Sequence, residues 1–312
     1  MKEDYPRNLL EFEERFATEE ACREYVMKTR WPDGYVCPKC GGRRAWQTKR
    51  NLLVCAECEH QASVTAGTIF ERTRKPLRVW FRAMWWVTTQ KTGASALGLQ
   101  RELGLGTYWT AWTWLHKLRR AMVRPGRDRV SGTIEVDETY WGAEEKGVIG
   151  RLTHEKTLII VAAQRDGKKV GRIRLGRLPA LTKKKVHAFV RQAVEPGSTL
   201  VTDGLNVYSG VTEYKHRPII LKQESEDASS LLPLVHRVVS LLKRWLLGTH
   251  QGAVHPEHLD YYLDEFTFRF NRRTSVSRGK LFFRLMQNAV QVPPAPYRDL
   301  NKHVSPGPDH NI

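Results

Sequence analysis

The chain has 312 residues and carries 51 Lys and Arg against 33 Asp and Glu, a formal charge of +18 spread along its length. That length excludes a single small domain, and the charge points to a polyanionic partner, with a merely basic soluble protein as the alternative. No apolar run approaches the roughly 18 residues that span a bilayer, and the opening MKEDYPRNLLEFEERF is charged where a signal peptide is apolar, so a cytoplasmic protein without membrane contact is expected.

Residues 9 to 28 space Leu10, Phe12, Phe16, Cys22, Tyr25 and Val26 at helical intervals with acids between them, which predicts one or two amphipathic helices with Cys22 as a small core residue. Helical periodicity is then lost from 31 to 70. Cys37, Cys40, Cys55 and Cys58 stand there as two CxxC pairs fourteen residues apart, the spacing of two knuckles around one tetrahedral Zn2+. Four thiolates leave no open position, so the zinc is expected to be structural. Arg43, Arg44, Lys49 and Arg50 fall on the intervening hairpin, either as phosphate contacts or as a solvated charged turn.

From 76 to 122 the pattern is helical again, and SALGLQRELGLGTYWTAWTWLHKLRRAM reads as helix, Gly-Leu-Gly turn, helix. Two readings fit. In a helix-turn-helix, Tyr108, Thr110 and Thr113 near the start of the second helix would meet DNA, with Lys117, Arg119 and Arg120 at its end; in an ordinary helical hairpin, Trp109, Trp112 and Trp114 are packing residues. RPGRDRVSG, 124 to 132, has the composition of a linker.

Beyond it, TIEVDETYWG, KTLIIVAAQ and KVGRIRLGRL predict three successive strands, followed by a Lys-rich helix, the strand STLVTDG, RPIIL and two further helices, a mixed α/β sheet. The first strand is unusual in carrying Glu135, Asp137 and Glu138. Strand alternation puts Glu135 and Asp137 on one face and Glu138 on the other, so Glu138 is expected to point away, while Glu135 either assists a metal or pairs with an arginine. VTDG presents Asp203 at a strand end. Two aspartates on adjacent strands can hold divalent cations that clamp a phosphodiester.

RWPDGYVCPKCGG, the Leu-rich helix-turn-helix, VDETYWGAEEKG, VTDGLNVYSG and LLKRWLLGTHQGAVHPEHLDYYLDEFTFRFNRR together resemble bacterial insertion-sequence transposases with an N-terminal zinc ribbon, a helix-turn-helix and a DDE-type, ISXO-like catalytic domain of ribonuclease H-like fold. The resemblance runs from about Phe12 to Arg273. It implies an N-terminal helix plus zinc ribbon over 1–75, a helix-turn-helix region over 76–123, the linker 124–132, a catalytic domain over 133–290 and a disordered tail over 291–312. It further implies metal-dependent cleavage and strand transfer, Mg2+ or Mn2+ as catalytic ion, and double-stranded DNA as partner, both terminal inverted repeats and target. A homo-oligomer on DNA and association with the bacterial nucleoid follow from the same likeness.

By that resemblance Asp137 and Asp203 are the first two metal-binding carboxylates. The third departs from the usual pattern, for where many relatives carry a Glu seven residues before a Lys-Arg pair, this chain has His236 before Lys243. His236 and Lys243 share a helix face two turns apart, so His236 is expected as third ligand and Lys243 as a phosphate contact, with Glu224, Glu226 and Asp227 as alternative ligands. A non-catalytic DNA-binding regulator is the rival reading, favoured by the missing Glu and disfavoured by the two intact aspartates.

Overall fold

The computed structural model describes residues 3–124, 126–142, 156–219 and 231–300, which form two compact units. The first joins the N-terminal residues to the segment from Thr274, and the second runs from Gly126 to Arg273.

In the first unit, α1 (Leu9–Arg15) and α2 (Glu19–Arg30) start at Asn8 and Thr18, whose side chains accept from Glu11 N and Ala21 N. A three-stranded antiparallel ribbon follows, β1 (Ala45–Gln47), β2 (Leu53–Cys55) and β3 (Gln61–Ala62). Then come α3 (Leu77–Thr89), α4 (Ala96–Leu103) and α5 (Tyr108–Ala121). Ser95 and Thr107 cap the last two, and Gly104 ends α4 in the left-handed region at φ 59°. Gly98 lets α4 approach α3, since a Cβ there would stand 3.0 Å from the Trp86 ring.

The core of this unit is aromatic. Phe282 lies 5.5 Å from Phe12, 5.7 Å from Phe16 and 5.6 Å from Phe81, ring centre to ring centre. Phe282 belongs to the helix Arg278–Ala289, so that helix is part of the first unit and the second ends at Arg273, short of the boundary at 290 expected from the sequence. The physical reason is the helix's apolar face, Leu281, Phe282, Leu285 and Met286, all buried, where its contacts are with α2, α3 and α5. Nor is the segment after 290 without structure: Tyr297–Leu300 is helical and Leu300 is buried, while 301–312 lie outside the described residues. Cys22 is fully buried and burial pushes its thiol up to about 12, as a core cysteine should behave.

The second unit is built on a five-stranded mixed sheet. In chain order its strands are β4 (Thr133–Trp141), β5 (Thr157–Asp166), β6 (Lys169–Leu178), β7 (Thr199–Thr202) and β8 (Lys215–Pro218). Their order in space is β6-β5-β4-β7-β8, antiparallel from β6 to β4 and parallel from β4 to β8. This is the ribonuclease H-like arrangement expected. Helix α6 (Lys183–Ala193) and the short turn Asn206–Tyr208 cover one face, packing Val186, Phe189 and Tyr208 on Ile134, Val136 and Ile160. Helices α7 (Pro233–His250) and α8 (Leu259–Phe270) cover the other, with Val235, Val238, Leu242 and Phe266 against Ile159, Val161 and Leu175. Burial on both faces explains why β5 reads LIIVAA without alternation. Val130, inside the expected linker, is already part of this unit, buried and bonded to Ala193 and Glu195. The helix Arg278–Ala289 is hereafter α9 and Tyr297–Leu300 α10.

Phe282→Ala should destabilise the first unit by about 3–5 kcal/mol, the cost of emptying a large aromatic site. Urea unfolding followed by tryptophan fluorescence would show it, and an unchanged midpoint would remove α9 from that core.

Candidate functional site

Four thiols meet at the start of the ribbon. Cys37 and Cys58 sulfurs are 3.7 Å apart and those of Cys40 and Cys55 3.6 Å, with all four within 4.8 Å of one another. A disulfide needs about 2.05 Å, whereas thiolates at about 2.3 Å from a tetrahedral zinc stand about 3.8 Å apart, so the cluster fits the ion. Gly42 N–H and Glu57 N–H each donate to a sulfur, Cys40 and Cys55, at 3.4 Å. Every residue of β1 is exposed, as are Arg43, Arg44, Lys49 and Arg50 beside it.

In α5, Tyr108 is 44% exposed, and Thr110, Thr113, Lys117 and Arg120 lie half-buried along one stripe of the helix. Arg119 does not share it. It is 1% exposed on the buried side with Leu115 and Leu118, so it is a core residue and not the surface contact expected of it. Trp112 and Trp114 pack inside, the latter stacked on Trp80 at 3.7 Å, while Trp109 stays exposed.

In the second unit the sheet brings Asp137 and Asp203 together. The parallel ladder between β4 and β7 sets Glu135 opposite Val201, and continuing that register places Asp203 alongside Asp137. β7 stops at Thr202, so the polypeptide leaves the sheet where the carboxylates stand. Thr202 Oγ1 holds the turn by accepting from Gly204 N and sharing a 3.0 Å hydrogen bond with His216 Nε2, while Asp203 Oδ1 accepts from Leu205 N. Gly204, at φ 82°, supplies the left-handed backbone the turn needs.

Glu138 does not point away. Carboxylate oxygens of Asp137, Glu138 and Asp203 all lie within 4.8 Å of one another. Alternation still sends Glu138 toward the α6 face, but past Glu135 the β4 edge is no longer laddered to β7, and its longer side chain reaches the same opening. Tyr208 fixes it there, donating its hydroxyl to Glu138 Oε2 at 2.7 Å. Burial, then the Glu138 charge, push that phenol far above its ordinary range, so it remains a donor.

His236, in the first turns of α7, places Nε2 4.0 Å from Asp137 Oδ2. Donors sharing one divalent ion at about 2.1 Å stand about 3 to 4 Å apart, so the three carboxylates form the group that could hold a cation, and His236 stands at the outer edge of that range from Asp137 without joining the mutually close set. Lys243 lies half-buried two turns along, its ammonium held below the usual lysine range by burial and then by Lys156. Glu224, Glu226 and Asp227 lie outside the described residues.

Glu135 faces the same way as Asp137 but serves differently. Its side chain is fully buried; one oxygen accepts from Arg165 Nη2 at 2.7 Å, the other from Leu234 N and Val235 N at 2.8 and 3.1 Å. Of the two roles open to it, pairing with an arginine is the one observed. Tyr208 and Glu138 were the residues that sequence reasoning missed. Their only signals were a second acid beside Asp137 and a tyrosine in LNVYSG.

Residues 129–271 match the family described as ISXO2-like transposase domain, and residues 17–61 match the transposase zinc-ribbon domain. The chain is also 25% identical over 281 residues to an uncharacterized protein in transposable element ISH50 of Halobacterium salinarum, covering 81% of this chain and 91% of that protein. Among the described residues no helix is long and apolar enough to cross a membrane.

Protein purified without chelator should carry about one equivalent of zinc, and Cys55→Ser should lose it and lower the first unit's unfolding midpoint, because metal binding is coupled to folding of such a module. Elemental analysis and thermal unfolding would check both; full stability without zinc would refute a structural ion.

Proposed function

We propose that the chain, whose residues 17–61 and 129–271 match a transposase zinc-ribbon domain and an ISXO2-like transposase domain, is an insertion-sequence transposase that binds the terminal inverted repeats of its element and catalyses metal-dependent DNA cleavage and strand transfer. The carrying observation is the convergence of Asp137, Glu138 and Asp203 within 4.8 Å at the open end of β7, with His236 4.0 Å from Asp137.

Asp137, Asp203 and His236 would hold Mg2+ or Mn2+. Such an ion lowers the pKa of attacking water and neutralises charge on the transferring phosphate. Asp137 and Asp203 are fixed by backbone donors, Glu138 N and Leu205 N, so their oxygens face the opening without rearrangement. Glu138, anchored by Tyr208, adds a further carboxylate able to accept a proton from the nucleophile or to complete the ligand set. Lys243 stands on the same helix as His236 as a cation for the phosphate flanking the cut. In cleavage, water oxygen bonds to phosphorus as the phosphorus bond to the 3′ oxygen breaks, leaving a 3′-hydroxyl. In strand transfer that hydroxyl takes the place of water at a target phosphate.

Recognition falls to the first unit. Arg43 and Arg44 on the ribbon, and Tyr108, Thr110, Thr113, Lys117 and Arg120 on α5, supply phosphate contacts that set register and a few contacts that read bases. The net charge of +18 supports a polyanionic partner and association with the nucleoid. Pairing of two element ends would bring two copies of the chain together.

Asp137→Asn and Asp203→Asn should each lower cleavage of an end-bearing duplex more than about 100-fold, since even residues that only orient metal ligands are worth 10–100-fold. Binding measured by gel shift should persist or tighten, because negative charge near phosphate is removed. His236→Ala should cripple cleavage and His236→Glu retain part of it in Mg2+, the hard-ligand substitution. Wild-type cleavage by His236→Ala together with loss in Glu138→Gln would make Glu138 the third ligand. Normal cleavage by both aspartate variants would end the transposase reading.

A further inference from the structure

Helix α7 begins without a cap of its own. Its N-cap is Leu232, which makes no side-chain hydrogen bond, and Pro233 at the first position has no N–H. His236 N already donates to Leu232 O within the helix. The first-turn donors that follow Pro233 are Leu234 N and Val235 N, and both end on one oxygen of Glu135. The cap of α7 thus comes from another element, 99 residues earlier in the chain. It also comes from the strand carrying Asp137, two positions before it and on the same face.

We infer that Glu135 is the positioning residue of the catalytic centre, tying the first turn of α7 to β4 so that His236 is held at metal-sharing distance from Asp137. The inference rests on the metal-site reading given above. Its force comes from tolerances. Metal–donor distances are held to about 0.2 Å, whereas sliding a helix by one residue moves its side chains by about 1.5 Å along the axis. The anchor adjoins His236 on one element and Asp137 on the other, one residue from the first and two from the second. A serine or threonine at the N-cap would have satisfied the same N–H groups locally without relating them to the strand. A fully buried charge is instead used, offset by the positive end of the helix and by Arg165, whose side chain is 43% exposed. Arg165 reaches Glu135 diagonally, from two residues beyond its register partner Ala163 on β5.

The test uses the full-length, zinc-loaded protein and Mn2+ as probe, with binding followed by the loss of the free Mn2+ electron paramagnetic resonance signal. Glu135→Gln keeps the size of the side chain and one acceptor but loses its charge. It should raise the Kd for Mn2+ about 10- to 100-fold, the range for groups that orient metal ligands. Cleavage by this variant should recover as Mn2+ is raised, while Asp137→Asn should not respond. If Glu135→Gln fails to fold, Glu135→Asp decides, since it keeps the charge and the arginine pair but shortens the anchor by one methylene. It should weaken Mn2+ binding in the same direction. Folded variants that bind Mn2+ as tightly as the wild type overturn the inference while leaving the metal centre standing. Wild-type protein that binds no more Mn2+ than Asp137→Asn overturns both.

Discussion

Parallel pairing of β4 with β7 is the contact on which the candidate metal site depends. A register that sets Glu135 opposite Val201 brings Asp203 beside Asp137 although 66 positions separate them in the chain. Strand spacing is about 4.8 Å, close to the separation at which two carboxylates can share one ion. Because β7 is only four residues long, the ladder ends before Asp137 and leaves the β4 edge unpaired with β7 beside the carboxylates. A longer β7 would have filled the opening with backbone.

The acids of β4 divide their work by position. Glu135 lies deep under the first turn of α7, where burial would be costly without the arginine and the helix amides that meet it. Asp137 and Glu138 lie where the sheet opens and keep room for a cation. These carboxylates stand together in a chain whose formal net charge is +18.

The first unit is organised differently, by aromatic packing around Phe282 and by a ribbon too small to have a core of its own. The described residues from Thr274 to Leu300 return to it after the second unit is complete. The C-terminal helix Arg278–Ala289 therefore supplies part of the first unit's core, through its contacts with α2, α3 and α5.

Local chemistry is what the sequence by itself determined: the cysteine spacing, the Gly-Leu-Gly turn between two helices, the strand alternation of TIEVDETYWG and the aspartate after LVT are each properties of a few neighbouring residues. Apolar patterning likewise sufficed to mark the strands, as a short unbroken run in β5 and as alternation in β4. The motifs that resemble a transposase also marked Asp137, Asp203 and His236. What only the tertiary structure decided depends on residues far apart in the chain. Glu138 joins the opening because a different strand ends early; Arg119 is buried because other helices close over that side of α5; and α9 belongs to the first unit because Phe282 finds its partners at Phe12, Phe16 and Phe81. Periodicity tells which side of an element is apolar, but not which other element will cover it.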